Sequence, residues 1–326
     1  MPTKEISIID VGHGNSTIIH ANNETIIVDC GSHGGGLLQY LQDRNITEIK
    51  TVYLSHADQD HIGGLMTLLA SKSITVKEVF LNSDSSKSTK LWDDLITILD
   101  DKSRQQRITF EVTIHDELPQ QTIGEIKVTP VGPTKYLVSK GVSSADRQGR
   151  KITSNSISAS FVITFNDHPV VFLSGDIDQI SLDEIKFTNK RIQADVMVFP
   201  HHGGKIEEGD VVGFTKQLLT ECKPSTVVFS LSRRKFKNPQ PDVIAAVKAT
   251  NAEIRIACTQ LSQRCSAVLP KENPAHLHDY YAKGKHLKEC CAGTFVINLD
   301  SGINIHPLTA AHQAFIAASA ATAICQ

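Results

Sequence analysis

Between Leu54 and Gly64 the chain reads LSHADQDHIGG, which sets His56, Asp58, Asp60 and His61 within six positions and follows them with two glycines. Imidazole nitrogens and carboxylate oxygens are the ligand atoms of divalent cations such as Zn²⁺ and Mn²⁺. Gathered in a protein interior without a cation, such groups cost several kcal/mol. Two later stretches repeat the pattern: VVFLSGDID brings Asp176 and Asp178, and DVMVFPHHGG brings His201 and His202. Each has an ordinary reading when taken alone. An Asp ahead of a helix caps it, and a histidine after a strand is commonly a hydrogen-bonded surface group. Three clusters in one chain point instead to a metal centre. A cation there activates water at neutral pH, so neither serine nor cysteine is needed as nucleophile. Cys30, in VDCG, reads as a buried apolar residue.

Each cluster follows an apolar run, and rigid strands are what a preorganised metal site requires. EISIIDVG alternates as a strand, and NSTIIHA and ETIIVDCG follow at hairpin spacing around Asn22-Asn23. ITEIKTVYLSH, KEVFLN, ITFEVTI, GEIKVTPVGP, SISASFVITF, HPVVFLSGD, ADVMVFPHHGG, PSTVVFSLS, AEIRIACT and GTFVINL complete the expected strands. Helices are expected at GGGLLQYLQDRN, IGGLMTLLAS, STKLWDDLITILDDKSRQQ, ISLDEIKFTN, PDVIAAVKATN and the Ala-rich AFIAASAATAIC. The polar segment from Gly132 to Ser154 reads as a long loop of the kind that borders a site. Strands alternating with helices predict a layered α/β fold, and the opening hairpins make its sheets mixed.

The chain has 326 residues, 40% hydrophobic and 21% charged, with a net charge of −2. That is an ordinary globular balance, and any nucleic-acid contact must come from a local patch. The N-terminus lacks the apolar core of a secretory signal, and no apolar run reaches the roughly 18 residues that span a bilayer. Seven cysteines without regular spacing predict reduced thiols and a cytoplasmic location, with no membrane partner.

The stretches DVGHGNS, IIVDCG, SHADQDHIGG, FLSGDI and ADVMVFPHHG, spread from Asp10 to about Gly203, resemble the metallo-β-lactamase superfamily. Within it they are most similar to the hydrolase domain of bacterial DNA-uptake (competence) channel proteins. The resemblance implies a four-layer αββα sandwich of two mixed β-sheets over residues 1–270. Residues 271–326 would then be an extension completing the sheet, with an inserted polar segment and a terminal helix. It also implies one or two metal ions, Zn²⁺ with Mn²⁺ as the alternative. His56 and Asp58 would serve one ion, Asp60 and His61 the other. Asp176 would bridge, His201 or His202 would complete the second site, and Asp29 would organise the loops. Asp60, His61 and Asp176 are the expected catalytic residues, working through a metal-bound hydroxide. The family's hallmark is H-x-H-x-D-H, and here Asp58 takes the second histidine's place. A further histidine usual in the first site is also missing, so Asn155 or Ser156 would have to stand in.

The substrate depends on the rim. SLSRRKFKNP sets Arg233, Arg234, Lys235 and Lys237 around Phe236, a pattern that suits phosphates and a stacked base and equally a solvated charged loop. In the competence relatives a His-Pro pair stands where this chain has Asn238-Pro239. A phosphodiesterase or nuclease acting on nucleic acid or nucleotides is the leading expectation. A hydrolase of a small lactone, thioester or phosphoester, or a non-catalytic metal-binding scaffold, is the alternative. Cys258, Cys265, Cys290 and Cys291, with His276, His278 and His286 nearby, form a second cluster. Buried reduced thiols are the favoured reading there, a structural zinc site the other. The polar segment from Lys271 to Lys288 reads as an insertion into the sheet's last hairpin.

Overall fold

The structure is a computed structural model that describes residues 3–206 and 209–326. In chain order the strands are β1 Lys4–Ile8, β2 Thr17–Ala21, β3 Glu24–Val28, β4 Glu48–Tyr53, β5 Thr75–Phe80, β6 Thr109–Glu111, β7 Gln121–Ile123 and β8 Ile126–Gly132. They continue as β9 Ser160–Phe165, β10 His168–Leu173, β11 Val196–Val198, β12 Thr226–Phe229, β13 Arg255–Cys258, β14 Phe295–Asn298 and β15 Asn304–His306. The helices are α1 Gly34–Asp43, α2 Gln59–Ala70, α3 Lys90–Arg104, α4 Lys135–Lys140, α5 Gln179–Phe187, α6 Val211–Cys222, α7 Pro241–Thr250 and α8 Thr309–Ser319.

Eight strands form one sheet in the order β15-β14-β1-β2-β3-β4-β5-β6, and seven form the other, β13-β12-β11-β10-β9-β8-β7. Both are mixed: β3 to β6 and β10 to β13 run parallel, the rest antiparallel. Successive strand residues face opposite sides, and the cores divide accordingly. In β2, Ile19 packs between the sheets while Ile18 packs outward against α1 to α3. In β10, Val171 and Leu173 face the inter-sheet core, and Phe172 faces the layer of α5, α6, α7 and α8. Three apolar layers separated by two sheets make the four-layer αββα sandwich, the metallo-β-lactamase fold. Among the described residues no helix is long and apolar enough to cross a membrane.

Local chemistry explains the elements and the departures from expectation. Asn22 and Asn23 both have positive φ, 52° and 62°, as a tight hairpin turn requires. The segment expected as one long loop contains α4, capped by Thr134 Oγ1. α6 was not expected, although Asp210 caps it and Phe214, Leu218 and Cys222 recur at helical spacing on its buried face. The strand expected through ITFEVTI shrinks to Thr109–Glu111 at a sheet edge. The terminal helix stops at Ser319, short of the cysteine expected within it.

The polar segment from Lys271 to Lys288 does not sit in a hairpin. β13 ends the second sheet and β14 pairs with β1 in the first, so the segment crosses from one sheet to the other. It is anchored to the first sheet: Tyr280 Oη donates to Glu5 Oε2 at 3.0 Å, and the Gly284 N–H donates to Asp10 Oδ2 at 2.8 Å. Glu5 is fully buried and ion-paired with Arg44.

Candidate metal centre

β1, β3, β4, β10, β11 and β12 all leave the sandwich at one edge, and the residues that follow them meet there. Loops beyond the carboxyl ends of parallel strands are where α/β folds place their sites. Asp29 follows β3 in a left-handed conformation with φ 60°. Its carboxylate accepts from the Ser55 N–H at 2.7 Å, from Ser55 Oγ at 2.8 Å and from His61 Nδ1 at 2.7 Å. With Nδ1 engaged, His61 Nε2 is left buried and without a protein hydrogen bond, 3.5 Å from Asp176 Oδ2. A carboxylate holding the far nitrogen of an imidazole is the arrangement that prepares a histidine to bind metal.

Two triads could each hold a divalent cation. In His56, His61 and Asp176, and again in His13, Asp60 and His202, the ligand-type atoms all lie within 4.8 Å of one another. Asp60 Oδ2 stands 3.2 Å from His13 Nε2 and 3.0 Å from His202 Nε2, and Asp176 Oδ2 is 4.0 Å from His202 Nε2, between the two triads. His56 Nε2 is also buried without a hydrogen bond. Convergent imidazoles and carboxylates with orphaned buried nitrogens fit a divalent cation.

The charges support this. Burial by itself would raise the Asp60 carboxyl, but hydrogen bonds from His13 and His202 hold it well below the usual carboxylate range. Burial likewise opposes ionisation of Asp176, and His61, His202 and His201 outweigh it. Burial would discharge His61, whereas Asp29 and Asp176 push its pKa well up. The site is thus held anionic at its Asp60 and Asp176 oxygens, a charge that a divalent cation would offset.

Backbone geometry reinforces the placement. Gly14 has φ +120°, and a Cβ there would lie 2.1 Å from the Asp60 carbonyl oxygen, so only glycine lets the β1 loop reach α2. His201 and His202 both adopt φ near +54°, costing on the order of 1–3 kcal/mol each. The His201 N–H donates to Asp176 Oδ1 at 2.9 Å and helps hold the turn.

The remaining expected residues fall as follows. Asp58 belongs to neither triad: it is ion-paired with Lys87, and its Oδ2 is 3.6 Å from His56 Nε2. His201 Nε2 bonds to the Ile177 carbonyl at 3.2 Å, so His202 rather than His201 joins a triad. Asp178 caps α5 through the Ser181 N–H and also accepts from Ser156 Oγ at 2.5 Å, which removes Ser156 as a stand-in ligand. Asn155 lines the cleft over the triads with Lys235 and Asn238. Arg233 must be corrected. It is 6% exposed, and its guanidinium donates to the carbonyls of Leu261, Ser266 and Ala267, so it serves packing and not substrate. Arg234 is paired with Glu289 at 2.7 Å. Cys290 Sγ faces Asp10 Oδ2 at 3.8 Å, while Cys291 Sγ faces His312 Nε2 at 3.2 Å.

His13 is the group that sequence reasoning missed. It stood in DVGHGNS, a single histidine in a Gly-rich turn, and the available signal was its position just beyond the first strand. The cleft above the triads has a volume of about 450 Å³, and Lys205, Phe236 and Gln240 also line it. The Phe236 ring is 63% exposed, 4.8 Å from the His13 ring and 4.9 Å from Lys235 Nζ. A larger cavity of about 630 Å³ lies beyond Asp178 around Phe214, but it has no imidazole in its wall.

The chain has recognisable relatives among known proteins. The chain is 40% identical over 75 residues to Recombination protein 2 of Haemophilus influenzae, covering 21% of this chain and 9% of that protein. It is 21% identical over 261 residues to ComE operon protein 3 of Bacillus subtilis, covering 74% of this chain and 30% of that protein. The chain therefore spans less than a third of the length of either relative. Among solved structures it is similar to the metallo-β-lactamase fold protein YhfI of Bacillus subtilis, with 14% identity, TM-score 0.47, and 78% and 95% of the two chains covered. It is also similar to unliganded yeast PDE1, with 12% identity, TM-score 0.37, and 79% and 88% covered. Residues 10–204, more than half of the chain and the part that carries both triads, match the family described as Anti-Pycsar protein Apyc1, and the chain belongs to that family.

Proposed function

We propose that the protein is a metal-dependent hydrolase of phosphodiesters, acting on a nucleotide-sized substrate. The observation that carries this reading is the pair of His/carboxylate triads on the floor of a cleft whose rim offers Phe236, Lys235 and Lys205. His56, His61 and Asp176 would hold one ion and His13, Asp60 and His202 a second, Zn²⁺ by preference and Mn²⁺ as the alternative. A bound divalent cation supplies Lewis acidity toward the phosphoryl oxygens and makes water nucleophilic near neutral pH.

The chain's own residues do the rest. Asp29 keeps the proton of His61 on Nδ1, so that Nε2 faces the cleft floor. Lys235 and Lys205 neutralise phosphate oxygens, Asn155 and Asn238 orient them by hydrogen bonds, and the exposed face of Phe236 stacks on a base or sugar. Burial of Arg233 and the pairing of Arg234 with Glu289 interrupt the basic track that a polynucleotide would follow. That favours a short diester over a long strand.

Hydrolysis of bis(p-nitrophenyl) phosphate and of single-stranded DNA, each across a salt series, tests the proposal. The short diester should turn over with little salt dependence. Cleavage confined to DNA, with the steep salt slope of several phosphate contacts (about −0.7 per contact for single strands), would overturn the nucleotide-sized reading. No turnover of any phosphodiester by the metal-loaded protein would overturn the phosphodiesterase reading as a whole.

A further inference from the structure

Away from the triads, the sandwich holds a second cavity that the proposed hydrolysis does not use. It has a volume of about 800 Å³ and opens between α7, β13 and α8, with Lys248, Arg255, Ile256, Thr309, His312 and Ile316 in its wall. β13 is the edge strand of its sheet, and Arg255 is its first residue. The triads gather beyond the carboxyl ends of β10 to β12, and β13 runs parallel to β12. The start of β13, and with it this cavity, therefore lies toward the other end of the sheet.

The cavity's chemistry is set by a cation without a counter-ion. Among the described residues no carboxylate pairs with Arg255. Its Nη2 donates to the Pro307 carbonyl at 2.7 Å, and its Nε is buried with no hydrogen bond. The Phe295 ring lies 5.4 Å from the guanidinium carbon. A guanidinium withdrawn from water is ordinarily paired with an anion. Here the surroundings deepen the imbalance. Pro307 stands two residues before Thr309, where α8 begins, so the guanidinium sits at the positive end of that helix's dipole. No side chain caps α8, so none takes up the N–H groups of its first turn. Lys248 adds a second positive charge to the wall and forms no ion pair among the described residues. Glu253, the carboxylate in that wall, is exposed and likewise unpaired. The rest of the lining is largely apolar, from Ile256, Ile316 and Ala317.

We propose that this cavity is a binding site for an organic anion, separate from the metal centre. The Arg255 guanidinium and the first turn of α8 hold its charged head, and Ile256, Ile316 and Ala317 lie along its apolar body. The head is a carboxylate or a phosphate, because the planar guanidinium fork and a helix N-terminus fit either. The bound anion offsets the charge that Arg255, Lys248 and the α8 dipole leave uncompensated.

The test is isothermal titration calorimetry of the full chain, loaded with metal, against octanoate and octyl phosphate, with octanol and inorganic phosphate as controls. At least one of the two amphipathic anions should bind one to one, at least about tenfold more tightly than octanol and inorganic phosphate. The tighter of the two identifies the head as carboxylate or phosphate. Arg255→Gln should weaken that binding by at least about tenfold, the loss of hydrogen bonds to a charged group. Ala317→Phe, on the exposed face of α8, fills part of the cavity and should weaken it as well; this variant decides the matter if Arg255→Gln does not fold. His61→Ala removes a triad ligand and should leave the binding unchanged. Anions that bind no better than octanol, or binding that survives both Arg255→Gln and Ala317→Phe, would overturn the proposal. So would inorganic phosphate binding as tightly as octyl phosphate, since the apolar wall would then hold nothing, and so would binding lost in His61→Ala, since the anion would then sit at the triads. The readout is binding and not turnover, so failure of the phosphodiesterase reading leaves this result standing.

Discussion

Replacing Asp29 with Asn tests how the centre is prepared, because the change alters charge and hydrogen-bond polarity while keeping shape. The wild-type carboxylate accepts three hydrogen bonds, from Ser55 N–H, Ser55 Oγ and His61 Nδ1. In Asp29→Asn the amide oxygen can keep the Ser55 N–H, but the NH₂ group then faces His61. His61 Nδ1 must accept, and the ring proton moves to Nε2, the nitrogen that faces Asp176 at 3.5 Å. The neutral ring then keeps its proton on the nitrogen that must bind the metal, whereas beside the wild-type carboxylate it keeps that proton on Nδ1. Loss of such an orienting partner typically costs about 10–100-fold in metal affinity. The metal-free protein loses a hydrogen bond to a charged group as well, worth about 1.5–3 kcal/mol. The assay is competitive chelator titration for the metal Kd, beside urea unfolding of metal-free protein. Asp178→Ala is the control: that residue caps α5 outside both triads, so it should lose stability on the order of 1 kcal/mol with the metal Kd unmoved. An Asp29→Asn protein that binds metal as tightly as wild type would refute the assignment of Asp29 as the residue that sets the His61 tautomer.

Lys235→Ala and Phe236→Ala should each raise KM for a short diester by about tenfold with kcat less affected, the pattern of lost substrate binding. Arg233→Ala should do the opposite. Three carbonyls lose their donor, so Tm should fall by the equivalent of about 1–3 kcal/mol while KM stays near wild type. Acid sensitivity should trace in part to His312, whose pKa is lowered to about 3 by burial, with Arg255 and His276 adding to it. Because the folded-state value lies below the unfolded 6.5, its contribution is complete above that pH. It is lost as pH falls toward 3, at about 1.4 kcal/mol per pH unit. Urea midpoints measured across that range should flatten in His312→Gln, and an unchanged slope would exclude His312 as the source.

The layered fold and the three ligand clusters were legible because both follow from period-two burial and from polar residues at strand exits. His56, Asp60, His61, Asp176 and His202 announce themselves by local density. His13 does not, since its partners Asp60 and His202 lie far along the chain and only the closing of the sandwich brings them together. Charge content also misled. Arg233 sits in the same basic run as Lys235, and nothing local says that its guanidinium is taken up by three carbonyls while Lys235 reaches the cleft. The crossing of Lys271–Lys288 between the sheets was hidden for a related reason. Which sheet β13 and β14 join is set by pairing with β12 and β1, not by the polar residues between them.

A divalent cation held by the two triads is proposed to drive phosphodiester hydrolysis. The most direct measurement titrates Zn²⁺, and separately Mn²⁺, into metal-free protein while following both bound metal and turnover of bis(p-nitrophenyl) phosphate, in wild type and His61→Ala. The account predicts that turnover rises in step with bound metal and saturates with it. It also predicts that His61→Ala binds less metal and stays at background at every concentration while remaining folded by circular dichroism. Full metal occupancy without turnover, or a His61→Ala protein as active as wild type, would contradict it.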